Sequence, residues 1–193
     1  MRVVLRSITP RAESLVAEAY AACRGGRGET AIPLESIQGL VTKEPFPHLS
    51  CLRHAKATFY IYGISRVCHS QLIRHGLAAF SVESQRSVEP AGFVHPQTIE
   101  DSEFRVRYDA LLQHARVLYG DMVEGGIPRE DARYGLPLST ETFVVASANF
   151  EHLRWLIQIR ALNPHAQWEI REMCLKMLDI LKEEAPHIFG DLG

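Results

Sequence analysis

An α+β fold, with helices covering an antiparallel or mixed sheet, is predicted by three features of the 193-residue sequence. Ala57 to Ile64 (ATFYIYGI) is an aromatic and β-branched run, the strongest strand signal in the chain. Arg2 to Ile8 alternates charged and apolar residues around Val3 and Val4, as a half-buried strand does. The final third carries two apolar stripes at helical spacing, Phe150, Leu153, Leu156 and Ile157, then Ile170, Cys174, Met177, Leu178 and Leu181.

The remaining elements follow in order. Thr9-Pro10 opens a helix in which Ser14 is a further candidate cap, and Leu15, Val16, Ala19 and Ala22 form its stripe. Gly25-Gly26 ends it and begins a loop that carries Arg24 and Arg27. Ile32 to Val41 reads as a short helix with Leu34, Ile37 and Leu40 inward, closed by Pro45 and Pro47. Ser65 to His75 is helical, with Val67, Leu72 and Ile73 inward, and it brings Gln71, Arg74 and His75 to its C-terminal end. Helical periodicity is lost after Gly76, and Phe80 to Glu83 is a loop or a short strand. Glu100 to Val123 is a long helix (Phe104, Tyr108, Leu111, Leu112, Ala115, Leu118, Tyr119, Met122) ended by Gly125-Gly126. Pro128 opens a short helix through Arg133, broken between Gly135 and Pro137. Thr140 to Ala146 is either a strand or a helix start capped by Ser139 or Thr140. No repeat, low-complexity tract or linker divides the chain, so residues 1–193 read as one domain.

Composition narrows the function classes. Apolar residues make up 46% and charged residues 23%, and the net charge is −2, a balance that suggests neither a nucleic-acid-binding nor a membrane-surface protein. Cys23, Cys51, Cys68 and Cys174 include no CxxC pair and read as reduced thiols. The N-terminus has no long apolar core, and no apolar run reaches the roughly 18 residues a spanning helix needs, so a soluble cytoplasmic protein is expected. The sequence has no GxGxxG after a strand, no P-loop, no HExxH and no GxSxG. Its nine histidines do not space as a metal set, so no metal is expected.

Two polar clusters remain. Gln71, Arg74, His75, Ser81, Glu83, Ser84, Gln85 and Arg86 bring together arginine forks, hydroxyls and amides, donors suited to a nucleotide monophosphate, although a solvated loop would look the same. Arg133, Asn149, Arg154, Arg160, His165, Gln167, Glu169 and Arg171 form the second, in which Arg160 ends an apolar helix and could simply answer the helix dipole.

Four segments carry a resemblance. Arg74-His75-Gly76, seven residues, then Ser84 with Gln85-Arg86 resembles the RHRx7S signature of the flavin-dependent thymidylate synthases. His48-Leu49-Ser50 with His54 resembles that family's HxS…EH element, and Asp131-Ala132-Arg133-Tyr134-Gly135-Leu136-Pro137 its DARxxLP element. Arg160, followed by His165-Ala166-Gln167-Trp168-Glu169-Ile170-Arg171, resembles its Arg…AQWEIR element. The resemblance implies a twisted, mostly antiparallel sheet flanked by helices, and a homotetramer with active sites at subunit junctions. It also implies FAD as cofactor, NADPH and methylene-tetrahydrofolate as co-substrates, and C5-methylation of dUMP.

Carried over by motif, Gln71, Glu83, Ser84, Gln85, Arg86, Arg133 and Arg160 would hold the nucleotide, with Arg160 polarising the uracil. Ser50, Arg53, Arg74, His75, Ser81, Asn149 and His165 would face FAD, and His48 would act near the flavin and folate. The chain departs from the family at Gly76 (Arg in the family), Arg53 (Glu), Ser87 (Tyr) and Val82 (polar), and its spacer from Arg160 to His165 is one residue longer. Arg53 is expected to compensate for the cation missing at Gly76. A nucleotide pocket widened at Val82 and Ser87 would admit UMP beside dUMP, as in a branch of nucleoside-antibiotic biosynthesis. The alternative is a non-catalytic paralogue that binds nucleotide or flavin as a sensor or assembly partner.

Overall fold

β1 (Arg2–Ile8) lies antiparallel to β2 (Lys56–Ser65), with Val3 opposite Ile61 and Leu5 opposite Phe59. The computed structural model describes residues 1–26, 33–43 and 47–193, so the roles expected of Arg27, Ile32 and Pro45 lie outside the described residues. β4 (Glu141–Asn149) pairs with the other edge of β2, and β3 (Ala79–Val82) pairs with β4, giving the order β1-β2-β4-β3 with every pairing antiparallel. The open alternative at residues 140–146 resolves as strand, because Thr142, Val144, Ala146 and Ala148 alternate inward along its length. The Phe80 to Glu83 alternative resolves as the short β3. β2 shifts register between Ile61 and Ile64, where Gly63 takes φ +67°, a conformation that side-chain-bearing residues rarely hold.

One face of the sheet is closed by helices. Ala57, Phe59 and Ile61 of β2 and Val144, Ala146 and Ala148 of β4 meet α7 (Phe150–Arg160) and α8 (Trp168–Glu184) in one apolar cluster. Every residue of the two stripes expected in the final third is buried there. The other face carries half-buried Tyr60, Tyr62 and Phe143, with the Arg2 guanidinium 4.3 Å from the Tyr62 ring.

Elsewhere the helices differ from the expectation in detail. α1 (Ala12–Ala22) follows Arg11 in a left-handed conformation, Ser14 lies inside the helix, and the buried set is Ala12, Val16, Ala17 and Ala21. Ala22 is exposed. α2 (Glu35–Val41) buries Ile37, Leu40 and Val41, α3 (Arg66–Leu72) is shorter than expected, and Ile73 beyond it is 45% exposed. The long helix divides into α4 (Gln97–Glu100) and α5 (Arg105–Glu124). Of its expected face only Leu112, Ala115 and Tyr119 are buried, whereas Phe104, Leu111 and Leu118 stand exposed as a stripe beside them. α6 (Arg129–Ala132) follows Pro128 as expected, and α9 (Pro186–Phe189) closes the chain.

Two strands pass directly into helices by the same chemistry. Ser65 Oγ accepts from Cys68 N to start α3, and Asn149 Oδ1 accepts from His152 N to start α7. Ser65 pairs with Glu141 and Asn149 with Lys56, so the two junctions sit at opposite ends of the β2–β4 pair. A ten-residue strand spans roughly 33 Å, against roughly 16 Å for an eleven-residue helix and 10 Å for a seven-residue one. Both helices pack back on these strands, so their C-terminal ends approach each other near the middle. Asn149→Ala removes the α7 cap and is expected to cost about 1 kcal/mol, read as a lower urea midpoint with unchanged slope.

Candidate active site

The approach of those two helix ends produces the first polar contact of the site. Arg160 is the last residue of α7, and its Nε–H donates to Nε2 of His75, just beyond α3, at 3.2 Å. His75 is 2% exposed, and its ring meets Trp155 edge-on at 5.1 Å and His152 at 6.0 Å between centroids. Burial, and then the nearby charge of Arg160, lowers the His75 pKa to about 4; His152 and Arg74 add to the shift. His152 is buried too, its pKa is lowered by desolvation, and both its ring nitrogens lack a partner among the described residues.

The folded protein therefore binds fewer protons at His75 than the unfolded chain does, and the stability present above pH 6.5 drains away as pH falls toward 4. His152 acts with the same sign, opposed by the charge of Glu151. Replacing His75 with Phe is expected to shrink the drop in Tm between pH 7 and pH 5 by about 4 °C, measured by scanning calorimetry.

Beside this cluster lies a cavity of about 500 Å³ whose walls include Val41, Leu49, Leu77 and Trp155, with Arg53 and Glu151 also lining it. Arg53 Nη2 donates to Glu151 Oε1 at 3.1 Å, and Arg53 Nε donates to the other carboxylate oxygen. The guanidinium is thus taken by Glu151, and the pair brings no net positive charge to the cavity. This geometry does not support the compensation expected of Arg53 for Gly76, which is exposed and has open space where a Cβ would stand. Ser50 opens the 3-10 turn Ser50–His54 that carries Arg53, and Asn149 is occupied as the α7 cap. His48 precedes that turn and lies edge-on to Tyr20 at 5.3 Å.

Two of the residues expected to hold the nucleotide, Ser84 and Arg86, line a second cavity, of about 450 Å³, together with Ser87, Arg129 and Glu130. Arg86 Nε lies 2.8 Å from Glu130 Oε2, Arg129 Nη1 donates to the Ser87 carbonyl at 3.2 Å, and Arg133 Nε donates to the Glu130 carbonyl at 3.0 Å. An anion entering here meets Arg86 and Arg129 but must displace the Glu130 carboxylate from Arg86. Arg66 stands behind, donating to the Glu83 carbonyl at 2.8 Å; its pKa is lowered by burial, with Glu83 opposing and Arg133 reinforcing. Gln71 Nε2 is 3.4 Å from Gln167 Oε1, which also caps α8, while Gln85 is half-buried.

Arg74, Ser81 and His165 are exposed, and neither cavity includes them among its lining residues. The two cavities share no lining residue. Sequence reasoning missed His152, Trp155, Gln158 and Glu151, although 151, 155 and 158 follow helical spacing on the side of α7 away from its apolar stripe. It also missed Arg129 and Glu130, just before the Asp131-Ala132-Arg133 segment. Histidine spacing likewise gave no sign that His95, Glu100 and Asp109 meet, with His95 Nε2 3.3 Å from Asp109 Oδ1. Arg105 pairs with both carboxylates, which accounts for the cluster as an ion-pair network.

Comparison with known proteins agrees with the family resemblance. The family model described as thymidylate synthase complementing protein matches residues 4–187. A flavin-dependent thymidylate synthase of Geobacter sulfurreducens is 34% identical over 203 aligned positions that take in all of this chain and 87% of that protein. One from Sulfurisphaera tokodaii is also 34% identical, across all of this chain and 78% of its own length. One from Pyrococcus furiosus is 37% identical over 69% of this chain, and the match spans 57% of that protein. The chain therefore belongs to the flavin-dependent thymidylate synthase family.

Proposed function

We propose that this enzyme methylates C5 of a uridine monophosphate reductively, converting dUMP to dTMP with FAD as cofactor and methylene-tetrahydrofolate and NADPH as co-substrates. The observation that carries this reading is Arg160, held at Nε by His75 and with no other partner among the described residues. Its Nη groups remain available to stabilise negative charge developing on a pyrimidine carbonyl.

The α7 cavity suits a planar aromatic group. Trp155, Leu49 and Leu77 offer apolar walls, and two buried, unpartnered nitrogens of His152 lie beside them. FAD held there, when reduced, would supply hydride to the methyl group under construction. Arg53 lines this cavity, and Ser50, Asn149 and His165, with Arg74 and Ser81 from a neighbouring subunit, are assigned to the flavin by the motif match alone. The second cavity takes the nucleotide phosphate on Ser84 and Arg86, joined by Arg129, and Arg133, Gln71, Glu83 and Gln85 are assigned to the nucleotide by the motif match. His48 serves the folate side.

The separation of the two cavities within one chain, and the exposed Phe104, Leu111 and Leu118 stripe of α5, support a homotetramer with shared sites. Residues 1–193 act as one domain in the cytoplasm; among the described residues no helix is long and apolar enough to cross a membrane. Val82 and Ser87 widen the sugar end, so UMP is accepted beside dUMP.

Purified protein incubated with FAD, NADPH, methylene-tetrahydrofolate and either dUMP or UMP tests the reading by the mass of the product. A methylated nucleotide is expected from both; a product from dUMP alone removes the UMP extension. Flavin binding without any product would replace catalysis with a binding-only role. Gly76→Arg restores a cation into open space and is expected to tighten FAD about fivefold or more, measured by flavin fluorescence titration.

A further inference from the structure

The geometry points to His75 as a positioning residue that aims Arg160 through the Nε–H···Nε2 hydrogen bond, a role beyond its assignment to the flavin by the motif match. This rests on the proposed activity only in what Arg160 does once aimed. Arginine has five N–H donors in one plane, and fixing the Nε–H fixes that plane, leaving both Nη groups for a ligand. Without the acceptor, a side chain at the last residue of α7 is free to rotate about its terminal torsions.

Three observations assign the acceptor role. His75 is almost fully buried, and its other nitrogen, Nδ1, is enclosed without a partner among the described residues, so Nε2 is the ring atom that engages Arg160. Because Nε2 accepts, the neutral ring must carry its proton on Nδ1. Burial, and then the charge of Arg160, oppose a second proton, so the ring stays an acceptor at neutral pH.

The ring is itself anchored. The His75 amide donates to the Leu72 carbonyl at 3.2 Å, and its carbonyl accepts from Ala78 N at 3.0 Å. The other end of α3 is pinned where Ser65 N donates to the buried Glu169 carboxylate at 2.6 Å and Ser65 Oγ donates to its second oxygen. The AQWEIR segment thus clamps the helix that leads to His75.

Variants of the FAD-loaded full chain test this with dUMP as substrate. His75→Phe is expected to lower kcat about 30-fold with KM for dUMP changed less than about threefold, and His75→Gln, which keeps an acceptor, to recover most of the loss. In an Arg160→Met background, His75→Phe should add less than about twofold, because the two act as one unit. An equal cost in both backgrounds overturns the inference. A readout independent of turnover is the nitrogen-15 spectrum of the imidazole. A proton on Nδ1, and a pKa that rises in Arg160→Met, are expected. A proton on Nε2, or an unchanged titration, overturns the inference even if His75→Phe fails to fold. If the unmodified protein forms no dTMP while the Nδ1 tautomer and its coupling to Arg160 persist, the proposed activity falls and the contact stands.

Discussion

Arg160→Met is expected to reduce kcat for dTMP formation by about 100- to 1,000-fold, the loss typical when one preorganised donor to a developing anion is removed. The reasoning starts from placement. Arg160 ends α7, and a cation at a helix C-terminus gains a little from the dipole alone, about 0.3–1 kcal/mol, which would show in stability and not in turnover. Its Nε–H is engaged by a neutral, buried imidazole that brings no charge to offset the guanidinium. The positive charge therefore stays available for negative charge that grows on the pyrimidine between ground state and transition state, and such an interaction acts on kcat. Arg160→Lys keeps the charge but lacks the planar fork, and an activity about tenfold above that of the Met variant is expected. Single-turnover measurement of dTMP with enzyme in excess separates this step from product release. Turnover in Arg160→Met within threefold of the unmodified protein would sink the role.

The fold was legible wherever one side of an element is strongly apolar. α7 and α8 have the expected residues inside because each lays one continuous stripe on the same sheet face, and β1 and β2 form where their strand signals stand, although Val4 of β1 is exposed. α5 misled for a physical reason: its apolar arc is wider than the surface one chain offers it, so Phe104 and Leu118 belong to the pattern without being covered. Residues 140–146 could not be decided from the run itself; pairing with β2 and β3 on both edges decided them. In the site, the motifs marked positions but not partners. That Arg53 would meet Glu151, 98 residues away, depends on the 3-10 turn packing on α7, and nothing local to either residue announces it. Arg154 and Arg160, six residues apart on one helix, look equivalent in sequence, yet only Arg160 is left with groups for a ligand.

Asp191→Ala is expected to destabilise the protein by about 3–5 kcal/mol, because it leaves the Arg154 guanidinium buried without its counter-charge. Arg154 is 3% exposed; Nη1 and Nη2 donate to the two oxygens of Asp191 at 2.6 and 2.7 Å, and Nη1 also donates to the Ile188 carbonyl. A bidentate pair with an added carbonyl is the arrangement in which a buried charge is tolerated, and removing one partner costs far more than the pair contributes over an apolar substitute. The pair also ties the end of the chain, where Ile188, Phe189 and Leu192 are buried, to the middle of α7. Arg154, Trp155 and Glu151 line the same cavity, so loosening that tie reaches the candidate flavin site. Thermal unfolding should show a fall in Tm of about 6–20 °C for a chain of this size. The double replacement Arg154→Met with Asp191→Leu, which removes both charges and keeps apolar volume, should recover most of that loss. If the double variant is as unstable as Asp191→Ala, the cost lies in lost packing and not in an orphaned charge. A Tm for Asp191→Ala within 2 °C of the unmodified protein would mean that water already screens the pair.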